Sequence, residues 1–237
     1  ALIAGWPQRD LELRRGRAIV GLVETHAHAD ERVWLVENPG FVSGGSVRWY
    51  LGLTGETEAS LDAAALVPPG SDGVTFLPAL GGSTTPRWND QARGVFAGLS
   101  LNHGRPHLGR ALLEGCTFAL RDLVDRLAEL GLGGQELRVV GGGARSDLWL
   151  QMKADITGRT VRTLVAAEAT AIGAVQLAAV GAGLFRNLDE AVDRLTELNP
   201  RAYTPNPANR AAYDDAYLRY QRLFAAIDPL HTSAGAA

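Results

Sequence analysis

The stretch Leu-Arg-Val-Val-Gly-Gly-Gly-Ala-Arg-Ser-Asp-Leu, residues 137 to 148, predicts a strand, a tight turn and a helix in immediate succession. Leu137 and the two valines that follow have the apolar, β-branched character of a buried parallel strand. Three glycines then remove every Cβ where the backbone turns, and Ser146 or Asp147 can cap the next helix. The stretch therefore predicts an α/β fold.

Two interpretations of this glycine turn remain open from its residues alone. Backbone N–H groups at a helix N-terminus suit a phosphate or the sugar of a nucleotide, and bare glycine backbone lets a flat base lie against it. The turn also fits a plain connection between strand and helix, because it has neither the GxGxxG nor the GxxxxGK[ST] spacing of phosphate-binding loops.

The composition describes a globular protein with little electrostatic attraction for polyanions. The chain has 237 residues, of which 46% are hydrophobic, so it can build a sizeable core. A net charge of -3 gives no support to a nucleic-acid partner or to an anionic membrane surface. Cys116 is the only cysteine, and neither an 18-residue apolar run nor a signal-peptide pattern occurs. We therefore expect a cytoplasmic protein without membrane or nucleic-acid partners.

Residues 1 to 32 are assigned to an uncertain N-terminal segment, a remnant of an interdomain or first-strand region, with a strand-like run over residues 18 to 23. The following His26 and His28 raise the hypothesis of a metal site, because side chains at i and i+2 of an extended chain point the same way. A polar loop after a strand is the favoured interpretation, since a hydrolase barrel would need further ligands at the ends of later strands.

A second glycine-bearing helix start follows at residues 43 to 46, Ser-Gly-Gly-Ser. Val47, Tyr50 and Leu51 would share one face of this short helix. Its start is a second candidate phosphate contact, and its glycines also fit close packing of a helix on a sheet. Residues 54 to 73 are expected to form a partly helical surface excursion.

The remaining elements are predicted from apolar periodicity. The pattern predicts strands at residues 74–78, 94–99 and 160–164, and helices at 106–130, 168–179 and 188–198. The helix of small residues at 168–179 is interpreted as central packing. A last helix carries a stripe of aromatic residues that predicts a docking face: Tyr213, Tyr217, Tyr220 and Phe224. Residues 228–237 are predicted to be a flexible tail.

Four phrases along the chain carry a family resemblance. They are residues 76–89 (Phe-Leu-Pro-Ala-Leu-Gly-Gly-Ser-Thr-Thr-Pro-Arg-Trp-Asn), residues 94–114 with Gly-x-Phe-x-Gly-Leu, His107-Leu and Ala-Leu-Leu-Glu, residues 141–146, and residues 168–174 (Glu-Ala-Thr-Ala-Ile-Gly-Ala). In this order they resemble the C-terminal domain of the FGGY family of carbohydrate kinases, most closely its xylulokinase-like branch.

The resemblance implies an actin-like ATPase (ribonuclease H-like) domain over residues 33–227, with a mixed sheet flanked by helices. It also implies ATP and Mg²⁺ as cofactors, and transfer of the γ-phosphate to a hydroxyl of a ketose or polyol, a chemistry that depends on positioning and charge stabilisation. Carried over by residue, the adenosine contacts would be Gly142, Gly143 and Ala144, with Asp147 near the ribose or base and Gly44 and Arg48 near the phosphates or base.

The resemblance also implies parts that this sequence does not display. The catalytic aspartate and first phosphate loop belong to an N-terminal kinase domain, so no catalytic residue and no metal ligand is assigned here, and the chain alone is expected to be inactive. Ser83 and Thr84 stand where the family usually has Glu-Arg. The alternative is a non-catalytic actin-like remnant or interaction domain. A homodimer is compatible with either interpretation.

Overall fold

A computed structural model of the protein describes residues 3–7, 23–38, 43–166 and 168–232. The strands are β1 (Ile3–Pro7), β2 (Glu24–Ala27), β3 (Val33–Glu37), β4 (Thr75–Leu77), β5 (Val95–Ala97), β6 (Glu136–Val139), β7 (Thr160–Leu164) and β8 (Leu198–Tyr203). The α-helices are α1 (Ser43–Thr54), α2 (Arg105–Glu129), α3 (Asp147–Thr157), α4 (Ala169–Gly181), α5 (Leu188–Leu195) and α6 (Arg210–Thr232). Most of the strand predicted over residues 18 to 23 lies outside the described ranges.

The described strands form three small sheets. In the first, β3 lies between β1 and β2 and is antiparallel to both, so this sheet spans the predicted boundary between residues 32 and 33. The second is the antiparallel pair of β4 and β5. The third is mixed, because β7 is parallel to β6 and antiparallel to β8. The glycine turn that follows β6 therefore leaves the edge strand of a mixed sheet.

The predicted character of β6 is confirmed only in part. Its pairing with β7 is parallel, with Leu137 opposite Val161. The expectation of a buried strand is wrong, since Leu137 and Val139 are only half-buried and Val140 is 48% exposed. Among the described residues β6 is an edge strand with a partner on one side only, so it is less covered than a central strand.

The central helix α2 carries the core, as its long apolar periodicity predicts. Proline occupies its first turn, and every residue from Gly109 to Ala119 is buried. The strand β4 packs directly on this helix at Gly115, where a Cβ would lie only 2.2 Å from the carbonyl oxygen of Phe76. The absence of a side chain at Gly115 sets the distance between helix and strand.

The aromatic stripe of α6 is confirmed as a packing face. Tyr213, Tyr217, Tyr220 and Phe224 are all buried in the core cluster that also contains α2 residues. The ring of Phe118 lies 5.8 Å from that of Tyr217 and 5.6 Å from that of Tyr220, measured between centroids. Helix α6 is therefore fixed along α2 by aromatic contacts.

A buried ion pair connects α2 to the excursion at residues 54–73. Arg110 Nε donates to Glu114 Oε1 at 2.8 Å, and the same carboxylate oxygen accepts the N–H of Gly70 at 3.0 Å. Arg110 also donates to the carbonyl of Val67 and to the hydroxyl of Tyr213. Glu114 is thus buried and paired, and its contacts support a structural role.

The packing expected for the helix of small residues is wrong. Helix α4 was expected to be central, yet of its residues only Gln176 and Ala179 are buried, and Val175 is 56% exposed. Its described contacts are mainly with α5, so small side chains have not placed it against a sheet.

Within the described residues, no helix combines the length and apolarity needed to cross a membrane.

The predicted tail begins too early. Helix α6 continues to Thr232, and Asp228 is buried, accepting a hydrogen bond from Asn89 Nδ2 at 2.7 Å and pairing with Arg87. These contacts hold residues 228–232 in the helix, whereas residues 233–237 lie outside the described ranges. The helix predicted at 188–198 ends at Leu195, and strand β8 follows it unpredicted.

We predict that Gly115→Ala lowers the free energy of unfolding by roughly 3 kcal/mol, because the new methyl group overlaps the carbonyl of Phe76. The matched control is Gly173→Ala in α4, where a Cβ would meet nothing within 4 Å. Urea unfolding followed by circular dichroism measures both variants. Equal stability of the two would contradict the close approach of β4 to α2.

A second prediction concerns Asp122, a buried residue of α2 whose carboxylate accepts a hydrogen bond from Tyr217 at 2.5 Å. Burial raises the pKa of Asp122 to about 6, above its value in the unfolded chain. The resulting stability is present at pH 4 and is lost as the pH rises through 6. Relative to Asp122→Asn, the free energy of unfolding should fall by roughly 2–3 kcal/mol between pH 4 and pH 7. A difference that stays constant over this window would show that the carboxyl is not desolvated.

Candidate functional site

The glycine turn of residues 141–144 forms a short 3-10 helix between β6 and α3. Gly141 has a φ of +72°, which an L side chain rarely adopts, so this position requires glycine. The N–H of Arg145 closes the turn by donating to the carbonyl of Gly142 at 3.2 Å. Ser146 then caps α3, because its hydroxyl accepts the N–H of Trp149. Of the two predicted caps, Ser146 is the one used.

The two central glycines of the turn face different surroundings. A Cβ at Gly142 would meet nothing within 4 Å, so this stretch of backbone is bare on its open side. A Cβ at Gly143 would lie 3.7 Å from both Lys153 Nζ and Trp149 Cζ3. The turn therefore has an open face at Gly142 that a flat ligand can approach, and Gly143 packs against side chains of α3.

Asp147, the first residue of α3, is held at the edge of the turn by β8. Arg201 Nη1 donates to Asp147 Oδ2 at 2.6 Å, and the Tyr203 hydroxyl donates to Oδ1 at 2.5 Å. The Tyr203 hydrogen bond and then the Arg201 interaction hold the pKa of the Asp147 carboxyl below its usual range. The carboxylate thus remains ionised, and its exposed side chain is oriented by two neighbours.

Helix α1 provides the second predicted segment. Gly44 and Arg48 lie four residues apart, on one side of the helix, and both are exposed, whereas Ser46 and Tyr50 are buried. A Cβ at Gly44 would meet nothing within 4 Å. Because α1 contacts both α2 and the glycine turn, the structure brings the two predicted segments together.

Lys153 is a residue of this region that the sequence did not single out. It is only 6% exposed, and its amine donates to the carbonyl of Gly143 at 3.3 Å. The amine also lies 3.5 Å from the centroid of the Trp149 ring. Burial lowers the pKa of Lys153 to about 7. The available signal was its position four residues after Trp149, on the apolar face of α3.

Cys116 of α2 lies beside Lys153 and next to the start of α1. Its Sγ is 3.9 Å from the carbonyl oxygen of Ser43, and its charge would act on the Lys153 amine. Burial raises the pKa of Cys116 to about 12, so the thiol stays neutral near pH 7. Cys116 therefore contacts the first residue of α1 and acts electrostatically on the Lys153 amine.

The two histidines of the metal hypothesis are engaged separately. His26 Nε2 lies 3.4 Å from Glu24 and 3.3 Å from Glu37, whereas His28 Nδ1 accepts the N–H of Asp30 at 3.0 Å. In the described ranges, no three His, Cys, Asp or Glu side chains are grouped so as to hold a metal ion. The structure adds no support to a metal site in this segment.

The loop at residues 79–89 is closed by its own polar side chains. Ser83 Oγ donates to the carbonyls of Thr85 and Arg87, and Thr84 Oγ1 donates to Asn38 Oδ1 at 3.2 Å. Ser83 is buried. These two residues therefore shape the loop and attach it to the end of β3.

Comparison with known proteins identifies relatives for most of the chain. Residues 14–182 match the model for the FGGY family of carbohydrate kinases, C-terminal domain. The xylulose kinase of Escherichia coli is 34% identical over 211 residues, which is 88% of this chain and 43% of that protein. The glycerol kinase of Bdellovibrio bacteriovorus is 36% identical over 172 residues, 71% of this chain and 34% of that protein.

A solved structure supports the same relationship. The crystal structure of xylulose kinase from Rhodospirillum rubrum superposes with a TM-score of 0.75 at 32% identity, covering 89% of this chain and 43% of that one. The fold is thus the α/β, actin-like fold of these kinases. The chain spans about two fifths of the length of the xylulose kinases it matches.

Proposed function

Because the chain belongs to the FGGY family of carbohydrate kinases, we propose that it is the nucleotide-binding half of an ATP-dependent sugar kinase. The observation that carries the proposal is the pair of bare backbone positions on two contacting segments, Gly142 on the turn and Gly44 on α1. Neither position needs glycine for a positive φ or to avoid a neighbouring atom. A bound ligand that approaches the backbone closely is a physical reason for glycine at both.

The proposed ligand is ATP or ADP with Mg²⁺. The adenosine would lie against Gly142, Gly143 and Ala144, and Asp147 would accept a hydrogen bond from the ribose or base. The phosphates or base would lie near Gly44 and Arg48, where an exposed guanidinium offers charge-assisted hydrogen bonds. Mg²⁺ commonly binds through substrate phosphates with few protein ligands, so it would arrive with the nucleotide.

The proposed reaction needs a further domain. The family resemblance implies that an aspartate of the N-terminal kinase domain accepts the hydroxyl proton of the sugar. The matched xylulose kinases are more than twice as long as the aligned segment. Residues 33–227 would then supply nucleotide binding, and a ketose or polyol such as xylulose would be the acceptor. We propose the cytoplasm as the site of this activity.

We predict that the chain binds Mg-ADP in isothermal titration calorimetry and that Gly44→Ala and Gly142→Ala each weaken binding at least about tenfold. Each new methyl group would enter the open space assigned to the nucleotide. Gly52→Ala, also in α1 and also facing open space, is the matched control and should bind as the unaltered chain does. Thermal unfolding should show that all three variants fold.

The outcomes separate the proposal from its alternative. Absence of Mg-ADP binding by the unaltered chain would favour a non-catalytic actin-like remnant or interaction domain. Binding that neither Gly44→Ala nor Gly142→Ala changes would place the nucleotide elsewhere. With xylulose and Mg-ATP, the chain alone should produce no ADP above background, because no base is assigned among its residues.

A further inference from the structure

The amine of Lys153 is buried and has no carboxylate partner among the described residues. Its polar contact is the Gly143 carbonyl at 3.3 Å, and the face of the Trp149 ring lies on another side. Trp149 and Lys153 are both less than one-tenth exposed, so bulk water solvates the amine poorly. A buried charge in such a setting is costly unless a partner arrives.

The groups around this amine act on its protonation in opposite directions. Burial opposes protonation, whereas the carbonyl dipole and the indole face favour it. In the described part of the chain, the titratable group acting on the amine is Cys116 from α2, which is a neutral thiol near pH 7. Gly143 and Trp149 carry no charge. A pKa of about 7 for Lys153 therefore leaves the amine close to half protonated in the ligand-free protein.

The position of the amine links both halves of the candidate site. It touches the glycine turn at Gly143, and it lies beside Cys116, which contacts Ser43 at the start of α1. Phosphates placed near Gly44 on α1 would therefore bring negative charge to the side of the site where Cys116 and Lys153 lie. In a poorly solvated site, an opposite charge within several ångströms favours the protonated amine strongly.

We propose that Lys153 couples nucleotide binding to proton uptake: its amine takes a proton from solvent when an anionic nucleotide binds between the glycine turn and α1, and returns it when the nucleotide leaves. The step forms one N–H bond and needs no other reactant. The inference rests on the proposed function, since it assumes that the ligand of the turn is a nucleoside diphosphate or triphosphate. In this account Lys153 holds Gly143 and supplies a charge that appears only with the ligand.

Protonation of Lys153 on ligand binding would make the affinity for the nucleotide depend on pH. Ligand binding that raises the pKa of an amine is strengthened at low pH, and the gain is lost as the pH rises through the raised value. If the pKa rises by about one unit, affinity for Mg-ADP should be about fivefold higher at pH 6 than at pH 8. The comparison is made relative to Lys153→Met, because the phosphates of the nucleotide also titrate. Lys153→Arg, which stays protonated, should retain tight binding without this extra pH dependence.

The chain offers a direct measurement, because Lys153 is its only lysine. Incorporation of lysine labelled with ¹³C at the ε carbon gives a single side-chain resonance in the full chain. We expect this resonance to titrate with a midpoint near pH 7 in the free protein and at least about one unit higher with saturating Mg-ADP. This titration uses the unaltered protein, so it decides the question even if a Lys153 variant fails to fold.

Three results would overturn the inference in different ways. A midpoint above pH 10 in the free protein would show that the amine is solvated. Calorimetric binding of Mg-ADP with an unmoved midpoint would refute the coupling while leaving the proposed function intact. No binding of Mg-ADP would remove the proposed function and the coupling together. Two results together would support the inference. The midpoint of the Lys153 titration rises with Mg-ADP, and calorimetry in buffers of different ionisation enthalpy shows that protons are taken up on binding.

Discussion

The packing of one indole ring connects the core to the candidate site. Trp149 Nε1 donates to the carbonyl of Leu113 at 3.2 Å and to the hydroxyl of Thr117 at 3.0 Å, which fixes α3 on the central helix α2. The face of the same ring contacts the Lys153 amine, and its Cζ3 atom would lie 3.7 Å from a Cβ at Gly143. The glycine turn is therefore positioned by a buried side chain with two hydrogen bonds, which attaches the candidate site firmly to the packed core.

The elements near this indole are those that the sequence predicted best. Helix α2 has a long apolar period, and the turn has a glycine run followed by a serine cap, so local patterns suffice. Strand β8 was missed because its segment contains Pro200 and follows a helical pattern, although it supplies the two side chains that orient Asp147. The central position predicted for helix α4 is wrong. Small residues indicate that a helix can approach a surface closely, but they do not indicate which surface.

The backbone segments of the candidate site could be predicted from the sequence, whereas its side chains could be predicted only in part. Gly44 and the turn at residues 141–144 were identified from glycine chemistry and family resemblance, and the fold places their segments in contact. The sequence did not predict the role of Lys153, because a single lysine on the apolar face of a helix usually extends its amine into solvent. Its burial depends on how Trp149, Cys116 and α1 meet in three dimensions, which no single stretch of sequence encodes.

We propose that the glycine turn and the start of α1 together form one nucleotide site. Amide chemical-shift mapping of the ¹⁵N-labelled chain tests it most directly, with Mg-ADP and adenosine added in separate titrations. We expect adenosine to shift the signals of residues 142–144, and Mg-ADP to shift these and the signals of residues 44–48. Shifts from both ligands that leave residues 142–144 unmoved while other segments respond would contradict it.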